Sequence, residues 1–283
     1  MSTTSGAPPA SIVLLGDSTL DNKMWVKKRE PSVTEHLEGK IATRPLPGWT
    51  VCNLAVDGAL VRAVSSQLRG LPAGVTHCVV SVGGNDGLCY LGEVENGDAL
   101  GAPWRLARVL WEVLRGEFRT SYEMMLDQVC ATGTHVAVCG LYTPCFHGRF
   151  ALGGSLHRRL LRRIVVSVGV AALNFVVRSA AHHRHLPLIQ LRDVCTSEWD
   201  FANPIEPSAQ GGDKISENIV RVVQTHPFGE HRVYSTRAHS EPPYPYECTV
   251  RGEEKAQHSW RRDHDAGLDD ARLNRSSRNA EFR

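Results

Sequence analysis

Net charge is nearly absent from this chain. Its 283 residues carry 32 Lys+Arg against 30 Asp+Glu, a formal +2. That balance gives no whole-protein field to gather nucleic acid or an anionic surface. No CxxC pair occurs among the eight cysteines, at 52, 78, 89, 130, 139, 145, 195 and 248. Cys52, Cys78 and Cys139 fall inside apolar, strand-like runs, where cysteine acts as a small hydrophobe. Reduced thiols in a cytoplasmic protein are therefore expected, rather than a disulfide framework or a metal site. The N-terminus lacks a basic stretch followed by an apolar one, so no signal peptide is expected. The longest apolar run, Ile164 to Val177, has 14 residues between arginines. That is too short to span a bilayer and reads as a buried helix.

What is present is unevenly spread. Hydrophobic residues make up 42% of the chain, too many for a wholly disordered one. Residues 226–283, however, contain almost no apolar run and include SEPPYPY. They are expected to be a disordered tail, because they cannot bury enough apolar surface to offset ordering entropy. Residues 1–10, MSTTSGAPPA, are expected to be loose too. One domain over 11–225 remains. There, short apolar runs at 11–15, 50–54, 77–82, 135–141 and 186–191 alternate with helical patterns at 61–71, 104–133, 156–183 and 211–224. Near-continuous apolar strands alternating with helices predict a parallel sheet covered on both faces. Ligands of such sheets bind beyond the carboxyl ends of the strands.

Three strand ends carry suggestive residues. Gly16-Asp17-Ser18 follows the first, with Asp21 and Asn22 within one turn. Gly58 follows the second, and Gly83-Gly84-Asn85-Asp86-Gly87 the third, where a sharp exposed turn is expected. A serine at a strand end is either a helix cap or a nucleophile, given a base. An Asn in a tight turn can donate to a developing oxyanion.

In this order the blocks resemble the SGNH/GDSL hydrolase superfamily, over roughly residues 11–225. The resemblance implies a three-layer α/β/α sandwich with a five-stranded parallel sheet, flavodoxin-like in plan. It implies Ser18 as nucleophile and an oxyanion hole from Ser18, Gly58 and Asn85. Its substrates would be carboxylic esters, including acyl lipids, acetylated sugars and thioesters, with no cofactor and no metal. Asp17 and Asp21 are supporting candidates.

The family's last block, Asp-x-x-His, is missing. Asn203-Pro204-Ile205-Glu206 stands in its place. An imidazole base needs an acid to fix its tautomer, whereas a carboxylate base does not. Losing Asp and His together is thus chemically coherent, with Glu206 as base or orienting group. A solvated Glu titrates near ~4.3, too low for base work at neutral pH, so burial would have to raise it. Asp200 is a candidate helper or a surface turn residue. His147, at the carboxyl end of the fourth strand, is an outside candidate for the missing base. The basic run from His157 to Arg163 is either a solvated helical face or an attractor for an acidic substrate or phospholipid head group. The rival function is an SGNH-type fold that binds an acyl, carboxylate or sugar ligand without turnover. A weaker third option is a regulatory scaffold whose working part is the tail. Substrate choice is expected to lie in loops at 88–104 and 142–156.

Overall fold

The computed structural model describes residues 10–44, 48–95, 101–151 and 156–235. The elements run β1 (Ser11–Gly16), α1 (Val33–Thr43), β2 (Thr50–Asn53), α2 (Val64–Leu68), β3 (His77–Ser81), α3 (Gly84–Glu95), α4 (Ala102–Arg115) and α5 (Glu117–Cys130). Then follow β4 (His135–Gly140), α6 (Leu156–His183), β5 (Leu188–Gln190), α7 (Leu191–Val194), α8 (Ala209–Thr225) and β6 (Val233–Tyr234). All strand pairings are parallel, in the order β2-β1-β3-β4-β5-β6. The strand order reverses between β1 and β3, so the binding crevice of such a sheet opens there.

Alternation along β1 builds the two cores. Val13 and Leu15 face one layer with residues of α5 and α6. Ile12 and Leu14 face the other, with α1 and α8. This period of two sorts apolar side chains to opposite faces, which is why the strands read as unbroken apolar runs. The α/β/α sandwich is as expected.

Several details differ from the sequence reading. The sheet has six strands, not five. Val233–Tyr234 pairs with β5 inside the segment expected to be loose tail, so order extends past 225 to at least Ser235. There His226 is buried and its Nδ1 lies 2.9 Å from the Tyr234 hydroxyl. Ala10 is buried as well, and its carbonyl accepts from Thr50 N–H at 2.9 Å. The rest of the two expected loose ends lies outside the described residues. The helical pattern at 104–133 is two helices, broken at Gly116. Helix α1 was not anticipated, because only Val33, Leu37 and Ile41 of its residues are buried. A reciprocal cap between Ser32 and Glu35 starts it. Finally, α6 is not wholly buried. Val176, Val177, Ala180 and Ala181 are core, whereas Leu161, Ile164, Val168 and Phe175 are exposed.

Tyr234→Ala tests the extended boundary. It should cost about 2–4 kcal/mol, as for other buried aromatic truncations, measured by urea unfolding.

Candidate active site

The site begins where β1 ends. Gly16 has φ +129°, a region L side chains avoid, and a Cβ there would strike the Ser81 carbonyl of β3. Glycine lets the chain leave the sheet abruptly. One side chain bonds both of its peptide groups, and the Gly16 carbonyl also accepts from Val56 N–H at 3.0 Å. Gln67 accepts from Gly16 N–H at 2.7 Å and donates to the Gly16 carbonyl at 2.8 Å. Asp17 N–H donates to the Ser81 carbonyl at 2.9 Å. Ser18 thus sits at the end of a clamped strand.

Four other elements are tied to this turn. Asn22 is fully buried; its Nδ2 donates to the Pro207 carbonyl at 3.1 Å, and its Oδ1 accepts from Val33 N–H at 2.8 Å. It joins the Ser18 turn to α1 and to the loop carrying Glu206. Asp21 accepts from Asp57 N–H at 3.1 Å, which holds the Gly58 turn. Asn85 Nδ2 donates to the Ala59 carbonyl at 3.1 Å, and Asp86 accepts from Val61 N–H at 3.1 Å. Asn85 and Asp86 lie in the first turn of α3 rather than in the sharp exposed turn expected. Gly83, at φ +119°, makes the bend that lets the helix start at once.

The Glu206 loop is also preset. Asn203 Oδ1 accepts from the N–H groups of Ile205 and Glu206 at 2.9 and 3.0 Å. Its role is to shape the turn. Ala202 N–H donates to the Glu206 carbonyl, and Phe201 pairs with Pro207 across the loop. Asp200 is neither a surface turn residue nor a partner of Glu206. It is fully buried, accepts from Thr196 and Ser197 N–H at 2.9 Å each, and pairs with Lys214 at 2.7 Å. It anchors the base of the loop.

Ser18, Asp17, Asn85 and Glu206 line one cavity of about 100 Å³. Beyond them its wall is apolar, built from the inner faces of α3 (Leu88, Leu91), α4 (Leu106, Leu110) and α6 (Val166, Leu173). Within 88–104, where substrate choice is expected to lie, residues 88–95 and 102–104 are helical, and α6 also contributes to the wall. The apolar wall had a sequence signal, the three- and four-residue spacing in 104–133 and 156–183, but that spacing reads equally as core. Gln67 and Tyr142 were missed. Gln67 was one of several polar residues in the helical pattern at 61–71, beside Ser65, Ser66 and Arg69. Tyr142, on the cavity wall, donates its hydroxyl to the Ile205 carbonyl at 2.6 Å, and burial raises its pKa well above normal.

Electrostatics distinguish the two carboxyls. Burial pushes Glu206 up to about 8, against a smaller downward pull from the Ser18 hydroxyl; the Asp57 and Asp17 charges add to the rise. Its Oε2 is buried without a hydrogen-bond partner among the described residues. Burial likewise raises Asp17 to about 6, against hydrogen bonds from Thr19 and the Gly84 N–H. At neutral pH Asp17 is mainly ionised and Glu206 mainly protonated.

Two expected members stand apart. Gly58, at φ +78°, is exposed and off the cavity wall, although its turn touches Asn85 through Ala59. Burial raises the neighbouring Asp57 carboxyl, while hydrogen bonds from Trp25 and the Gly58 N–H lower it. In this arrangement the Gly58 N–H already has a use. His147 is exposed, with its ring 3.8 Å from Cys145 Sγ, and does not line the cavity. It is at the right end of the sheet but the wrong side of its own loop.

The chain has an SGNH hydrolase-type fold. It is similar to an extracellular lipase from Streptomyces rimosus, with TM-score 0.57 and 16% identity over 76% of this chain and 99% of that one. A phospholipase A1 from Streptomyces albidoflavus NA297 is similar at TM-score 0.54 and 16% identity, over 75% and 99%. A lipase, Lip_vut3, from a goat rumen metagenome gives 0.53 and 16%, over 75% and 96%. No protein-family model matches the chain, and no curated protein matches it either.

A raised carboxyl makes folding pH-dependent. The folded state holds the Glu206 proton up to about 8, whereas the unfolded chain releases it near 4.5. Stability is therefore lost as pH rises through that window. Glu206→Gln removes the penalty. Between about pH 5 and about pH 9 the variant should lose less stability than wild type, by on the order of 2 kcal/mol or more, in urea unfolding.

Proposed function

We propose that this protein is a serine-type carboxylic ester hydrolase with Ser18 as nucleophile and Glu206 as base. The observation that carries this is the convergence of Ser18, Asn85 and a buried carboxyl with an unpaired oxygen on one cavity wall. The Ser18 hydroxyl proton passes to Glu206 as Oγ attacks the ester carbonyl carbon. Charge builds on the carbonyl oxygen, opposite the Ser18 N–H and the second amide proton of Asn85. Collapse expels the alcohol, which takes the proton from Glu206. Water then gives Glu206 a proton as its oxygen attacks the acyl carbon; the acyl–Oγ bond breaks, Glu206 returns that proton to Ser18 Oγ, and the carboxylic acid leaves.

A carboxyl near 8 suits this role better than one near ~4.3, because it holds a proton firmly enough to accept one at working pH. Asp17, ionised beside Ser18, keeps a negative charge in the site and opposes ionisation of Glu206. The apolar wall narrows the substrate. Acetylated sugars present little apolar surface, whereas an acyl chain matches Leu88, Leu106 and Val166. We therefore favour esters with medium or long acyl chains.

Glu206 being mostly protonated at neutral pH favours one rival, ligand binding without turnover. A serine-directed fluorophosphonate and a p-nitrophenyl ester series separate the two. Labelling of Ser18 by mass, and turnover that improves with chain length, are expected in wild type. Ser18→Ala abolishes both. Asn85→Ala should lower kcat by about 10²–10³ with little change in KM. No labelling and no turnover in wild type leave only the binding reading.

A further inference from the structure

Beyond Ser18 the cavity follows a trough between α3 and α6, which run in opposite directions. At one end Leu173 of α6 lies over Gly87 of α3, so close that a Cβ on Gly87 would come 2.7 Å from the Leu173 Cδ1. At the other end Arg162 of α6 pairs with Glu95 of α3 at 2.8 Å. The Gly87 end is the Ser18 end, because Asn85, in the same turn of α3, lines the cavity together with Ser18. Helix α4 packs on both helices and adds Leu106 and Leu110 to the wall. From Leu173 back to Val165, the α6 wall runs for about 12 Å at 1.5 Å per residue.

Along that wall α6 presents Val165, Val166, Gly169, Val170 and Leu173. These positions recur at three and four residues, so they share one face. All but Gly169 carry an apolar side chain. A Cβ built on Gly169 would meet nothing within 4 Å. The wall therefore has a notch one helical turn beyond Leu173, about 6 Å further from Ser18.

Packing does not account for this glycine, whereas the close approach of Leu173 accounts for Gly87. A glycine inside a helix costs stability relative to alanine. Gly39 and Gly92 are equally uncrowded, but neither lies on the cavity wall. At Gly169 the missing side chain leaves room in the cavity itself. The charged groups of the cavity, Asp17 and Glu206, are at the Ser18 end. A hydrocarbon chain with its carbonyl carbon at Ser18 matches this division.

We infer that Gly169 is a specificity-determining residue for acyl length. The substrate chain runs along the α3–α6 trough past Gly169, and the notch admits its distal half. Its effect on turnover rests on the hydrolase reading; its effect on binding the chain does not.

The test compares p-nitrophenyl butyrate with p-nitrophenyl decanoate in full-length wild type, Gly169→Leu and Gly92→Leu. A leucine at 169 would keep about four methylenes of the decanoyl chain out of the cavity, at about fourfold each. In Gly169→Leu, kcat/KM for the decanoate ester should therefore fall about two hundredfold, with the butyrate ester within about twofold of wild type. Gly169→Ala should fall between the two proteins. Gly92→Leu puts the same side chain on α3 off the cavity wall and should change neither ester. All three variants should melt at or above the wild-type temperature, because the new residue is the better helix former. A second readout needs no chemistry. In Ser18→Ala protein, calorimetry should show decanamide binding, and adding Gly169→Leu should weaken it by a similar factor. Unchanged decanoate turnover and decanamide binding in Gly169→Leu, an equal loss on both esters, or the same change in Gly92→Leu would overturn the role of Gly169. No turnover of either ester in wild type, with decanamide binding that Gly169→Leu weakens, would overturn the hydrolase reading alone.

Discussion

The two hydrogen bonds between Gln67 and Gly16 hold the point from which the rest of the site hangs. A strand that ends in a left-handed glycine leaves its N–H without a ladder partner. Burying it unpaired would cost about 1–3 kcal/mol. The Gln67 amide satisfies it and also donates to the Gly16 carbonyl, which accepts from Val56 N–H at 3.0 Å as well. The sheet repeats the device at β4, where Asn174 accepts from Leu141 N–H at 2.8 Å and donates to its carbonyl at 2.9 Å. Gln67 thus braces the β1 end that carries Ser18, and Asn174 the β4 end beside Tyr142. From the first anchor Asn22 reaches the Glu206 loop, and Asp21 reaches the Gly58 turn. The groups proposed to react are held by side chains given no part in the chemistry, which is how a site gains precise geometry.

Glu206 works against stability. It is buried, unpaired at one oxygen and pushed up to about 8. Its loop holds it there through Asn203, Asp200 and Asn22 at fixed positions. Strongly perturbed carboxyls cluster at functional sites, because a fold selected only for stability would replace them. With Glu206 as the proposed base, the same reasoning accounts for the absence of both Asp and His at the last block. An imidazole needs an acid partner; a desolvated carboxyl needs only burial, and Asn203 supplies a turn instead of a charge.

The sequence disclosed the sandwich and the strand ends, because apolar strands and glycine turns are local signals; the roles proposed for Ser18 and Asn85 came from the resemblance of the blocks that carry them. It disclosed less where tertiary packing decides. Helix α1 is mostly polar and is fixed by a cap and by contact with α8. Strand β6 is two residues long and reads as loop until β5 lies beside it. Asp200 looked like a turn residue because its partners, Lys214 and Gln210, are a loop away. His147 looked placed for chemistry because its side of the loop cannot be read from its position in the chain. Helix α6 looked wholly buried because apolar content does not say which of its two apolar sides has a neighbour.

The account depends most on the link between Ser18 and Glu206. The direct measurement is kcat/KM against pH for a soluble ester, in wild type and in Glu206→Gln. A base near 8 predicts that the wild-type rate climbs about tenfold per pH unit below that value and levels off above it. In Glu206→Gln the rate should fall by about 10²–10⁴ and lose this inflection. A flat wild-type profile, or a Glu206→Gln enzyme with the wild-type rate and inflection, would contradict it.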